Sequence, residues 1–147
     1  MLNMAHIHLL INHVPILGSL FVFILFSVAL VFKNGFLQKV SLWFLAGVAL
    51  STVVAYTSGD GTKRAVQGLP QVSDATISLH EQAAIYGLIL MFLVGIVSLV
   101  GILLYSKRPV LPVYFRLTVL VLLLGSVGVM ISIGFLGGQI MHPEIRS

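Results

Sequence analysis

The chain has 147 residues, of which 59% are hydrophobic and only 8% are charged, whereas a soluble domain carries about 25% charged residues. This composition predicts an integral membrane protein and excludes a sizeable soluble domain. The absence of cysteine excludes disulfides, thiolate metal sites, iron–sulfur clusters and haem attached through a CxxCH motif. The formal charge of +4 does not indicate nucleic-acid binding, because the basic residues are scattered between apolar stretches and act there as topology signals.

Four apolar stretches are long enough to cross a bilayer, which requires about 20 residues. In chain order they cover residues 9–32, 40–58, 80–105 and 113–137. They predict an all-α protein, an integral membrane four-helix bundle that forms a single transmembrane domain over residues 1–147. His6 and His8 are expected on an extra turn that precedes the first stretch.

The predicted connections differ in length. Short turns follow the first and third stretches, whereas residues 59–79 form the only long loop. Gly59-Asp60-Gly61 predicts a stop at the end of the second helix. Ser78 followed by Glu81 is typical of a capping box, which would begin the third helix early and place His80 in its first turn.

The charges predict the orientation of the bundle. The side with the short turns has no acidic residue and carries Lys33, Lys39, Lys107, Arg108 and Arg116. The other side carries every acidic residue together with three basic ones: Asp60, Asp74, Glu81, Glu144, Lys63, Arg64 and Arg146. The positive-inside rule then places the short turns in the cytoplasm and both termini on the outer (periplasmic) side.

All five histidines are predicted at the outer end of the bundle. His6, His8 and His13 begin the first span, His80 begins the third, and His142 follows the fourth. Four alternating spans bring them together whichever side of the membrane that end faces. Titratable groups at the edge of a bilayer are costly unless they pair or bind something, so this set is a candidate functional site.

Two local signals accompany the histidines. Pro15 removes one backbone hydrogen bond and frees the carbonyl of Ile11, so we expect a kink beside His13. The fourth span ends in Gly134-x-x-x-Gly138 with Gly137 beside it. Such small residues allow a helix or a flat macrocycle to approach closely.

Imidazole is a suitable ligand for zinc, copper, iron and haem. The chain has no cysteine and its histidines lie on facing helices, so we interpret the site as one that binds b-type haem through two histidines. We expect one haem; five histidines could hold two haems at most. His13 is predicted as the best ligand because it is the deepest, with His80 as its partner from another helix. His8 and His142 would form a second pair or support the first, and His6 is the least expected ligand.

The segment His8-Leu-Leu-Ile-Asn-His13-Val-Pro15-Ile resembles the opening motif of a widespread, uncharacterised family of small four-helix bacterial membrane proteins. His80 beside Glu81, and Gly137-Gly138 before His142, resemble its other motifs, although the last spacing departs from the commoner form. That family is similar in layout to b-type membrane cytochromes, and some relatives are joined to Rieske-type modules. The resemblance therefore implies electron transfer.

The predicted function is thus membrane electron transport through b-type haem. The expected partners are a quinol, a periplasmic carrier or other membrane redox subunits, and a stand-alone enzyme is not expected. Two alternatives remain open. One is a cofactor-free accessory subunit of a larger membrane complex, favoured by small-residue stripes such as Gly128-x-x-x-Ser132. The other is a copper- or zinc-binding protein that uses histidine, methionine and glutamate at the outer surface, where Met4 and Met141 lie near the histidines.

Overall fold

The computed structural model describes residues 4–145 and shows only helices in that part of the chain. Arg146, which the sequence counts among the outer charges, lies outside the described residues. The helices are α1 (Met4–Ile11), α2 (His13–Val31), α3 (Gly35–Val66), α4 (Asp74–Tyr105) and α5 (Val113–Met141), followed by a short 3-10 helix, Pro143–Ile145. The all-α prediction is confirmed.

Four helical stretches are long and apolar enough to span a membrane, and the first of them, Met4–Val31, combines α1 and α2. We call this combination the first span. Its interruption lies at Asn12, where Pro15 supplies no N–H for the carbonyl of Ile11. Asn12 N still donates to His8 O at 2.8 Å, so the helical hydrogen bonding of α1 extends to Asn12. The helix is interrupted next to His13, whereas the kink expected there stays a prediction.

The helices form a ring in which sequence neighbours are antiparallel. α3 packs against the first span and α4, whereas α5 packs against α2 and α4. The first span and α4 therefore lie diagonally across the bundle. Within residues 4–145, α1 packs on α3 and has no contact with α5, so the bundle is open at the corner between α1 and α5.

The core follows one stripe of the first span in which residues recur every three or four positions. Pro15, Ser19, Val22, Phe26 and Ala29 are its buried members. They face a core contributed by the other three helices, which includes Leu42, Leu45, Val48, Met91, Val94, Leu123 and Met130. Because lipid is as apolar as these side chains, close packing stabilises such a bundle more than burial does.

One buried amide joins three segments at the end of the bundle that carries the short turns, which we call the basic end. Gln38 is fully buried. Its Nε2 donates to Ala29 O at 3.4 Å, and its Oε1 accepts from Leu111 N at 3.1 Å. Gln38 thereby connects the first span, α3 and the turn before α5. Gly35 allows the carbonyl of Pro109 to approach the start of α3, where a Cβ would overlap it.

The opposite end differs from the prediction. α3 runs through Gly59-Asp60-Gly61 to Val66, and α4 begins at Asp74, so residues 67–73 replace the predicted loop 59–79. The predicted helix stop and the capping box are wrong. Ser78 Oγ accepts from Gln82 Nε2, and Glu81 Oε2 pairs with Lys63 Nζ at 2.9 Å. Hydropathy shows only the apolar part of a helix. At this end α3 and α4 both continue beyond their apolar parts, and their polar extensions pair with each other.

We expect Gln38→Leu to lower the free energy of unfolding by about 1–3 kcal/mol, because the buried N–H of Leu111 loses its acceptor. Thermal unfolding of the purified protein in detergent, followed by circular dichroism, measures this loss. The matched control is Gln82→Leu, which removes an exposed amide and should change stability by no more than about 0.5 kcal/mol. Equal losses in the two variants would contradict the role assigned to Gln38.

Candidate functional site

The five histidines lie at the end of the bundle opposite the basic end, which we call the histidine end. His6 and His8 belong to α1, and His13 begins α2. His80 lies in the second turn of α4, and His142 directly follows α5. Their side chains differ in direction and in contacts, so only some of them can contribute to a common site.

The buried stripe of the first span extends to His8. His8, Asn12, Pro15 and Ser19 follow one another at spacings of four, three and four residues. His8 is half-buried, and its Nδ1 lies 2.9 Å from Ala55 O in α3. Because a carbonyl only accepts hydrogen bonds, Nδ1 is the nitrogen that donates. The neutral ring therefore keeps its lone pair on Nε2.

Small residues of α3 allow α1 to approach. A Cβ at Gly59 would lie 3.8 Å from His8 Cε1, and a Cβ at Gly61 would overlap Met4. Ser58 Oγ lies 3.4 Å from His8 Nδ1 and donates its own hydrogen to Val54 O at 2.8 Å. The Gly-x-Gly sequence that predicted a turn thus serves as a packing surface for α1 within a helix.

His80 is held in the same manner by a different helix. It is half-buried, and its Nδ1 donates to Ile133 O of α5 at 3.1 Å. A Cβ at Gly137 would lie 3.1 Å from His80 Cε1, so this glycine provides the space for the imidazole ring. The other two glycines predicted to allow close approach face aliphatic side chains, Gly134 against Ile16 and Gly138 against Ile145.

His8 and His80 share one arrangement, in which Nδ1 donates to a helix carbonyl and Nε2 carries the lone pair. Neither Nε2 has a hydrogen-bond partner among residues 4–145. The two imidazoles belong to diagonal helices at the same end of the bundle. Histidines that bind metals commonly donate their second ring nitrogen to a carbonyl or carboxylate in this way. The arrangement can therefore offer two imidazole ligands, one from each of two helices.

His13, ranked first from the sequence because of its depth, lies on a different face. It is exposed, as are Leu17 and Leu20 on the lipid-facing side of the first span. One residue of helix rotates it by about 100° from Asn12 and so away from the buried stripe. A role for His13 as a ligand stays a prediction, and the geometry favours His8 in its place.

His142 forms a pair at the protein surface. Its Nδ1 lies 2.9 Å from Glu144 Oε1, and the two side chains are 63% and 66% exposed. Such exposed pairs contribute about 1 kcal/mol or less. The structure does not bring His142 into contact with His8 or His80 in the part of the chain that it describes. Its role as a haem ligand stays a prediction.

Two further features of the site concern polar groups beside the rings. Asn12, one turn from His8 on the same stripe, has a buried Oδ1 without a hydrogen-bond partner among the described residues. Glu81, next to His80, is held by Lys63 of α3.

Ser58 and Gly59 could not be identified from the sequence because they were placed at the end of the second span, next to a predicted turn.

No group of three or more histidine, aspartate or glutamate side chains that could hold a metal ion occurs within residues 4–145. Structural and catalytic zinc sites use three or four protein ligands, whereas haem iron needs only one or two. Two imidazoles are a number of protein ligands that haem iron accepts. Comparison with known protein families, with characterised proteins and with solved structures gave no match to this chain.

We expect ¹⁵N NMR of the histidine-labelled protein in detergent, above the pH at which its imidazoles are protonated, to show His8 and His80 with the proton on Nδ1. Free neutral histidine favours the other tautomer, so the carbonyl partners are the physical reason. Gly137→Ala should shift the His80 signals, because the new methyl group contacts the ring. Gly128→Ala, on the same helix but facing open space, should leave them unchanged. Protonation of either ring on Nε2 would contradict the assignment.

Proposed function

We propose that the protein binds one b-type haem at the histidine end through His8 and His80 and transfers electrons within a membrane. The observation that carries this proposal is the shared anchoring of the two rings, each with Nδ1 on a helix carbonyl and Nε2 without a partner in residues 4–145. Two neutral imidazoles on diagonal helices are the donor set of a bis-histidine site in a helical bundle.

The chain's own residues would hold and tune the ligands. The carbonyls of Ala55 and Ile133 fix the orientation and tautomer of the two rings and increase the basicity of Nε2. Haem, when bound, supplies one-electron chemistry. Gly59 and Gly137 leave the rings free of side-chain contacts at those positions. The open corner between α1 and α5 is the route by which a flat macrocycle could enter.

The proposed setting is a multi-pass protein of a bacterial inner membrane with the histidine end toward the periplasm. The charge distribution supports this orientation, because the basic end has no acidic residue. The resemblance of the His8–Ile16 segment to a cytochrome-like family favours the same role. The site would exchange electrons with a quinol, a periplasmic carrier or a membrane redox subunit. These partners would dock at the histidine end, because the two half-buried rings lie there.

We expect the protein purified with haem, or reconstituted with haemin, to show a reduced-minus-oxidised difference spectrum with the α-band of a low-spin b-type haem. His8→Ala and His80→Ala should each abolish the six-coordinate signal, because each removes one of the two ligands. His142→Ala is the matched control and should retain the spectrum, since its ring is paired with Glu144 at the surface. Circular dichroism on each variant establishes that the helices are retained.

Three results would contradict the proposal. A wild-type protein that binds no haem under reconstitution would exclude the function and favour the cofactor-free accessory role. Bound copper or zinc without a haem spectrum would favour the metal-binding alternative. If His13→Ala loses the haem signal and His8→Ala retains it, the protein binds haem but not through the proposed pair of ligands.

A further inference from the structure

A second site is indicated at the basic end, at the opposite end of the bundle from the histidines. Arg116 lies in the second turn of α5 and is half-buried. It lines a cleft of about 270 Å³ between the first span and α5. Leu30, Val113 and Leu117 provide the rest of the lining. The cleft thus has one cationic group on otherwise apolar walls.

The Nε of Arg116 is buried and has no hydrogen-bond partner within residues 4–145. Two other basic residues at the same end have partners: Lys39 Nζ donates to Ser106 O at 2.8 Å, and the guanidinium of Arg108 lies 5.7 Å from the centre of the Tyr105 ring. Arginine remains charged in proteins, so it cannot avoid the cost of burial by losing its proton. An unpaired buried donor of this kind indicates a missing acceptor.

The charges around the cleft determine the sign of that acceptor. The basic end carries five Lys and Arg residues and no acidic side chain, since all four acids belong to the histidine end. No carboxylate of the described chain is therefore available to pair with Arg116. A guanidinium forms two parallel hydrogen bonds with a carboxylate or a phosphate, and phosphate is the one of these anions that membrane lipids carry in their headgroups.

The apolar walls determine the remainder of the ligand. Leu117 and Val113 are 57% and 61% exposed on the outer surface of the bundle, which faces lipid in a membrane. A free inorganic anion has no interaction with such walls, whereas an acyl chain does. Basic clefts between transmembrane helices at headgroup depth are typical binding sites of anionic phospholipids.

We propose that this cleft binds an anionic phospholipid, with the phosphate on the guanidinium of Arg116 and an acyl chain along Leu30, Val113 and Leu117. The proposal is independent of haem binding and of which side of the membrane the basic end faces. The bound lipid would complete the hydrogen bonding of Arg116 and connect the first span to α5 at this end.

The test is native mass spectrometry of the full-length protein with added phosphatidylglycerol, together with thermal stability in detergent with the same lipid. We expect Arg116→Gln to weaken phosphatidylglycerol binding about tenfold, which corresponds to the loss of one charge-assisted contact. Arg108→Gln, at the same end but stacked on Tyr105, is the matched control and should bind as the wild type does. Leu117→Trp fills the cleft without changing the charge and should also reduce binding.

The control ligands separate the possible sources of the anion. Phosphatidylcholine, which is zwitterionic, should bind and stabilise less than phosphatidylglycerol, and inorganic phosphate at the same concentration should not stabilise the protein. Equal stabilisation by inorganic phosphate, or unchanged phosphatidylglycerol binding in both Arg116→Gln and Leu117→Trp, would overturn the proposal. If Arg116→Gln does not fold, the result for Leu117→Trp decides, because that side chain is exposed and its replacement is tolerated by the core.

Discussion

The structure depends on the rule that a polar group surrounded by hydrocarbon must find its hydrogen-bond partner inside the protein. Buried hydroxyls satisfy it locally: Thr52, Ser98 and Ser126 each donate to the carbonyl four residues earlier in their own helix. Gln38 satisfies it across three segments at the basic end. His8 and His80 satisfy it with one nitrogen each, on carbonyls of a neighbouring helix. Among the side-chain nitrogen and oxygen atoms of residues 4–145, only Asn12 Oδ1 and Arg116 Nε are buried without a partner.

These two exceptions lie at opposite ends and beside the two proposed sites. Asn12 is one turn from His8, and Arg116 lines the cleft at the basic end. An unpaired buried group is costly, so a chain retains it where a ligand completes the bonding. The Nε2 atoms of the two anchored histidines are not among these buried unpaired atoms, so what supports their role as ligands is the fixed tautomer and not the cost of burial. The two exceptions support the two proposals by their positions in the bundle.

The sequence predicts the four spans well because a run of about 20 apolar residues has few alternatives. It fails at the helix ends, because Gly59 and Gly61 are read as a turn although they form the surface on which α1 packs. It also cannot rank the histidines by depth alone. The first span is apolar on every side, so hydropathy does not mark its inner face. The inner face is marked only by the polar and small residues at positions 12, 15 and 19, which align with His8 rather than with His13.

The distance between the two ends limits what the histidine pair can do. Ile133, whose carbonyl anchors His80, is 17 residues beyond Arg116 on α5, which corresponds to about 26 Å along the helix axis. The hydrocarbon core of a bilayer is about 30 Å thick. If Arg116 lies at one edge of that core, the carbonyl that anchors His80 lies just inside the opposite edge. A polar ring at that depth needs a partner inside the protein, and the helix carbonyl supplies it to Nδ1.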